Sequence, residues 1–187
     1  MIDAHAHLGK WFNFYYDGGD YLSMVRIMDK IGMKSAWISA LIGIGPNYKL
    51  GNQMVLEAIN AFPDRFRGYA VLSPYFSDEM EEELNLRFSQ GFIGIKLHPD
   101  THMYPLDGPR YIYAYKFAGR VRCPILIHTW GERDVRSLME IARSYPEATF
   151  IMGHSGGDIR SMLLAGDMVC TVNNVYLDLT GSAMYNG

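Results

Sequence analysis

The chain has 187 residues, a formal charge of −3 at pH 7, 49% hydrophobic and 20% charged residues. That composition fits one globular domain and excludes a disordered polyelectrolyte. No apolar run approaches the ~20 residues that span a bilayer, and no Lys/Arg cluster marks a nucleic-acid face. Cys123 and Cys170 cannot build a disulfide scaffold and read as free thiols of a reducing compartment. The N-terminus MIDAHAHLG lacks the basic-then-apolar build of a signal peptide, so the cytoplasm is the expected location.

Short apolar runs alternate with helical patterns along the chain. The first run, 1–8, precedes a stretch at 9–18 (GKWFNFYYDG) that fits neither period and reads as a loop. Leu22, Val25, Met28 and Ile31 mark a helix before the run 35–42. Val55, Ile59 and Phe62 mark a second before 67–72. Met80, Leu84 and Phe88 mark a third before 92–98, with Asp78 and Glu81 spaced as a capping box. An aromatic helix over 110–119 precedes 124–129. Val135, Leu138, Ala142 and Tyr145 precede 148–153, and a helix over 157–167 precedes 174–180. No linker divides the sequence, so residues 1–187 read as a single domain. Seven strands alternating with helices predict an α/β fold with a parallel sheet, either doubly wound or a barrel.

The histidines favour the barrel. Of the 6 in the chain, His5, His7, His98, His128 and His154 fall at or beside the C-terminal end of an apolar run, and His102 follows His98. In parallel α/β folds those ends carry the site. His5 and His7 share a strand face with Asp3, which suits two ligands of one divalent metal or a hydrogen-bonded core pair. His128 and His154 can join them only if the strands curl round a common centre.

Gly94, Lys96 and His98 share one face of their strand. A Lys inside a barrel is costly unless paired or modified, so a salt bridge to an inward acid is expected for Lys96. Trp130 and the aromatic loop of Trp11, Phe12, Phe14, Tyr15 and Tyr16 either wall a pocket or pack over the mouth. His102 is expected in a loop, solvated or beside substrate. Arg133 and Arg160 are expected on exposed helix starts, Asp158 as a helix cap, and Asp178 as a strand-end hydrogen-bonding residue.

The segments IDAHAHLG, GIKLHP, PILIHTWG and FIMGHSGG resemble the amidohydrolase superfamily. The nearest likeness is its amidohydrolase-related branch of metal-dependent hydrolases and decarboxylases, over Met1 to Gly181. The resemblance implies a TIM-type (β/α)8 barrel with a divalent metal, often zinc, at its mouth. It makes His5, His7 and His128 the metal ligands. His154 becomes a catalytic acid/base or the ligand of a second metal. His98, held before Pro99 at its strand end, is expected to face substrate or donate a hydrogen bond as a second catalytic group. Read from their positions at the mouth, Lys96, Trp130 and Trp11 are the expected contacts of a small-molecule substrate. One metal is expected, or two if Lys96 is carboxylated. The implied reaction is attack of metal-activated water on an amide, ester or lactone. The same ligands would serve decarboxylation of an aromatic or unsaturated acid, and a noncatalytic metal-binding remnant is the third reading. TatD-type deoxyribonucleases begin similarly but carry a Glu-bearing strand where GIKLHP stands.

The barrel is expected to be incomplete, with about seven strands and without the Asp that the family carries at the end of strand eight. Unpaired sheet edges should then make the isolated chain aggregation-prone, homo-oligomeric or weakly active.

Overall fold

The computed structural model describes residues 1–12 and 15–181; Phe14 of the aromatic loop lies outside them. Seven strands form one sheet in the order β1-β2-β3-β4-β5-β6-β7, each parallel to the next. They are β1 (Ile2–Leu8), β2 (Ser35–Ala40), β3 (Phe66–Val71), β4 (Gly94–Leu97), β5 (Pro124–His128), β6 (Thr149–Gly153) and β7 (Val175–Leu177). Sequential order with every neighbour parallel is the arrangement of a curling barrel wall. The structure is that wall, left open between β1 and β7.

The helices between the strands are α1 (Tyr21–Lys30), α2 (Leu41–Ile44), α3 (Tyr48–Ala61), α4 (Met80–Ser89), α5 (Pro99–His102), α6 (Ile112–Val121), α7 (Glu132–Ser144) and α8 (Ile159–Val169). Each longer helix turns an apolar stripe to the sheet: Val135, Leu138 and Ala142 of α7 are fully buried. Among the described residues no helix is long and apolar enough to cross a membrane.

Three local expectations differ. The second run ends at Ala40, and Leu41–Ile44 turn into α2 although apolar throughout. Periodicity alone cannot separate a short buried strand from a buried helical turn. The expected capping box at Asp78 is absent: a 3-10 turn, Pro74–Glu79, leads into α4, and the capping side chain is Ser73, which accepts from Tyr75 N–H. In β1 the pairing with β2 shifts register between Asp3 and Ala6, so a bulge interrupts strict alternation just where His5 stands.

A side chain replaces a missing strand partner beside β3. β2 pairs with β3 only as far as Ile38 opposite Gly68. Beyond that point Asn52 of α3 accepts from Val71 N–H at 2.8 Å and donates to Val71 C=O at 3.0 Å. It also donates to Glu83 Oε1 at 2.8 Å, which in turn accepts from Arg87 Nε at 2.7 Å. All of these groups are buried, so each needs its partner.

The seam between β1 and β7 is an open cleft of about 930 Å³. Met1, Ile2, Asp3 and Ala4 line one side and Tyr176 to Thr180 the other. Ile2 is 58% and Tyr176 60% exposed, so each edge presents a large apolar side chain to solvent. Asn52→Ala should cost about 3 kcal/mol, because it orphans the buried N–H and C=O of Val71 and removes one of the two donors to Glu83 Oε1. Urea unfolding followed by circular dichroism measures this.

Candidate active site

The strand ends bring five imidazoles together at the C-terminal rim of the sheet. His5 and His7 come from β1, and their ring centroids stand 5.0 Å apart. His5 lies 5.0 Å from His154, which follows β6, and His154 lies 4.7 Å from His128 at the end of β5. His98, just beyond β4, stacks on His128 at 3.8 Å. His154 sits at φ 63° and Ser155 at φ 50°, left-handed conformations uncommon outside Gly. That turn swings the His154 ring back over the sheet end.

Lys96 lies among these rings and is fully buried. Its Nζ stands 3.1 Å from His5 Nε2. The expected salt bridge is not formed: among the described residues Lys96 makes no ion pair, and Asp178 acts on it at longer range. Burial lowers the Lys96 pKa to about 7, with the Asp178 charge opposing.

The histidines are neutral. Burial, then the Lys96 charge, takes His5 down to about 4 against the opposing bond to Asp178. His128 is lowered to about 2 by burial and then by Lys96. Burial also lowers His7, His98 and His154. Neutral imidazoles keep the lone pair that a metal needs.

The hydrogen bonds assign those lone pairs. His5 Nδ1 lies 2.5 Å from Asp178 Oδ2. A carboxylate only accepts, so Nδ1 carries the proton and Nε2 the lone pair. His154 Nδ1 faces the Thr180 carbonyl and must donate to it. His154 Nε2 is then an acceptor, and His128 Nδ1 donates to it at 3.1 Å. His128 is left with its lone pair on Nε2, which stands 3.7 Å from Asp100 Oδ2. His7 Nδ1 pairs with Ser39 Oγ at 3.1 Å.

Around this cluster the other predicted residues divide. Trp130 is near-parallel to His128 at 6.2 Å, and Trp11 stacks on His98 at 6.4 Å. Together they form a column of flat rings along the mouth. Gly157 backs it: a Cβ there would meet the Trp130 ring at 2.4 Å. Phe12 and Tyr15 are largely exposed and Tyr16 is partly buried, donating to Gly9 C=O. His98 caps α5, its Nδ1 accepting from Thr101 N–H at 3.3 Å. His102 is not in a solvated loop: it lies buried in α5, with Nδ1 3.0 Å from Tyr111 OH. Arg133 is exposed, and Arg160 pairs on the surface with Glu132 at 2.5 Å. Asp158 caps α8 as expected, accepting from Ser161 N–H at 2.9 Å.

Asp178 is the hydrogen-bonding residue at a strand end that the sequence leads one to expect, bonded to His5 and Thr180, and it also stands among possible metal donors. His5, His154 and Asp178 each bring a donor atom within 4.8 Å of the others. Two imidazoles and a carboxylate are a donor set of the kind that divalent zinc or manganese takes. The rule that singled out the histidines, a polar residue at a strand end, applies to Asp178 too. Counting strands hid this, because the residue belongs to the seventh.

The amidohydrolase family profile matches residues 2–186. No curated protein matches. A probable 2-pyrone-4,6-dicarboxylic acid hydrolase from Acinetobacter baumannii aligns with TM-score 0.68 at 18% identity, over 96% of this chain and 70% of its own. 4-Oxalomesaconate hydratase from Rhodopseudomonas palustris aligns with TM-score 0.64 at 18% identity, over 95% of this chain and 73% of its own. 5-Carboxyvanillate decarboxylase from Novosphingobium aromaticivorans, with bound manganese, aligns with TM-score 0.61 at 20% identity, over 72% of this chain and 49% of its own. The chain thus spans about half to three-quarters of the length of these structures. These likenesses carry the fold, an incomplete TIM-type barrel. With the profile covering nearly every residue, the chain belongs to the amidohydrolase family.

Proposed function

We propose that this chain carries the site of a metal-dependent hydrolase acting on an amide, ester or lactone of a small molecule. The observation that carries the reading is the cluster of neutral imidazoles from β1, β5 and β6 around buried Lys96. His5, His7 and His128 would hold one divalent ion, with zinc the proposed metal. Carboxylation of Lys96 would make room for a second. When bound, the ion supplies Lewis acidity toward a carbonyl and lowers the pKa of water.

The remaining roles belong to the chain. His154 holds a lone pair at Nε2 and is placed to take a proton and return it to a leaving group. Lys96, poised between its charged and neutral forms near pH 7, offers an N–H donor to a developing oxyanion or a substrate carboxylate. Trp11 and Trp130 wall the entry and exclude water. His98 holds the face of the His128 ring.

Decarboxylation of a flat aromatic or unsaturated acid is the second reading. The near-parallel column of Trp11, His98, His128 and Trp130 favours it, since flat rings stack on flat substrates. The matched structures include a hydrolase and a decarboxylase by name.

Three outcomes are expected. The purified chain should hold about one equivalent of divalent metal by mass spectrometry, and the His5→Ala/His7→Ala double variant should lose it. A panel of lactones and hydroxybenzoates, assayed with and without metal, should show metal-dependent turnover of a lactone. His154→Ala should lower kcat by roughly 10²–10⁴-fold. Turnover of hydroxybenzoates alone would move the reading to the decarboxylase.

A fourth outcome concerns acid. A histidine whose folded pKa is depressed below 6.5 binds fewer protons folded than unfolded, so stability falls as pH drops. For His5 the loss begins near pH 6.5 and is complete below about 4, of the order of 3 kcal/mol. The metal-free protein should therefore show a falling Tm across pH 6.5–4 by calorimetry. A His5→Phe variant, which keeps a ring in the site, should flatten that slope.

A further inference from the structure

Asp178 stands close enough to His5 and His154 to count as a third metal donor. Its hydrogen bonds argue for a different role. An ionised carboxylate offers about four lone-pair directions. Asp178 Oδ1 accepts from Thr180 N–H at 3.0 Å and from Thr180 Oγ1 at 2.7 Å. Its Oδ2 accepts from His5 Nδ1 at 2.5 Å and from His154 N–H at 3.3 Å. All four directions are taken by protein donors. Ser155 Oγ, donating to the Asp178 carbonyl at 2.9 Å, holds the backbone of the same turn.

The turn therefore faces one proposed ligand, His5, and the proposed acid/base, His154, through their Nδ1 nitrogens. Asp178 takes the Nδ1 proton of His5. The Thr180 carbonyl takes the Nδ1 proton of His154, whose Nε2 then takes the Nδ1 proton of His128. The result is the same on both histidines: Nδ1 carries the proton and Nε2 the lone pair, which faces Lys96 Nζ on His5 and His128 Nδ1 on His154. A neutral imidazole with no such partner can place its proton on either nitrogen. The contact also crosses the seam. His5 lies on β1 and Asp178 follows β7, the two edges that no ladder joins.

We propose that Asp178 is a positioning residue: its carboxylate, held by Thr180, fixes the Nδ1–H tautomer of His5 across the open seam and so presents Nε2 to the metal. This deepens the metal-dependent reading and rests on it. Asp178 acts through His5 and does not bind the ion.

The test compares wild type with Asp178→Asn, Asp178→Ala and His5→Ala. Zinc affinity is read by competition with a chromophoric chelator. The His5 tautomer is read in the metal-free protein by ¹⁵N–¹H correlation of the imidazole. Asp178→Ala should weaken zinc binding about 10–100-fold, the usual cost of losing a carboxylate behind a ligating His. It should also release His5 from the Nδ1–H form. Asp178→Asn keeps a carbonyl acceptor for His5 Nδ1–H and should recover most of the affinity and the tautomer. His5→Ala should lose more affinity than either.

If Asp178→Asn loses zinc as completely as His5→Ala while its His5 stays Nδ1–H, Asp178 is a ligand and the proposal is overturned. An Asp178→Ala variant with wild-type affinity and tautomer overturns it equally. Wild type that binds no zinc brings down the metal-dependent reading itself, and with it the positioning role. The circular dichroism spectrum of Asp178→Asn controls for folding.

Discussion

The bond between His5 and Asp178 is the contact on which the open barrel turns. Every other strand junction is a ladder of backbone hydrogen bonds, from β1–β2 through β6–β7. Among the described residues no ladder joins β1 to β7; a cleft lies between them, with the His5–Asp178 bond at its upper end. A bond between a neutral imidazole N–H and a carboxylate is charge-assisted and gains strength where water is scarce. Here it ties the first strand to the last. Burial alone would raise the Asp178 pKa; the bonds from His5 and Thr180 outweigh it and hold the carboxyl well below its ordinary range.

That bond also shapes the chemistry of the mouth. Lys96 is fully buried without an ion pair among the described residues, an expensive arrangement for a cation. The structure accommodates it in two ways. Burial brings its pKa close to neutrality, and His5 Nε2 accepts its proton because Asp178 keeps the His5 proton on the other nitrogen. The imidazoles in turn are kept neutral by burial and by the Lys96 charge. A cluster of neutral nitrogen donors beside one adjustable cation suits a divalent ion and an anionic reaction centre.

The rim reflects a division between rigid and adjustable parts. His5, His7 and His128 stand on strands, whose positions are fixed by ladders on one or both sides. His154 and Asp178 stand in turns just past their strands, clamped by Thr180 and Ser155. Sites built on strand ends keep their geometry while loops around them vary. The tryptophans belong to that outer layer: Trp130 is 39% exposed, and Trp11 lies in the loop after β1.

Much of this was written in the sequence. Seven short apolar runs between helical patterns give the strand count and parallel order, because buried parallel strands need continuous apolar residues and long crossovers. Strand-end histidines give the rim, since those ends share one side of the sheet. Other features follow from three-dimensional neighbours. Leu41–Ile44 forms a helical turn that packs Gly43 against Gly51 of α3, where a Cβ on Gly43 would come within 3.3 Å of Gly51 Cα. His102 is buried because Tyr111 receives it. Among the described residues Lys96 makes no ion pair, and the Asp178 charge acts on it only at longer range, a matter of positions and not of residue type. The role of Asp178 is set by the same limit. Sequence places it on the seventh strand, 173 residues from His5. Only the curl of the sheet brings the two free edges together, and only hydrogen-bond geometry shows which lone pairs remain for a metal.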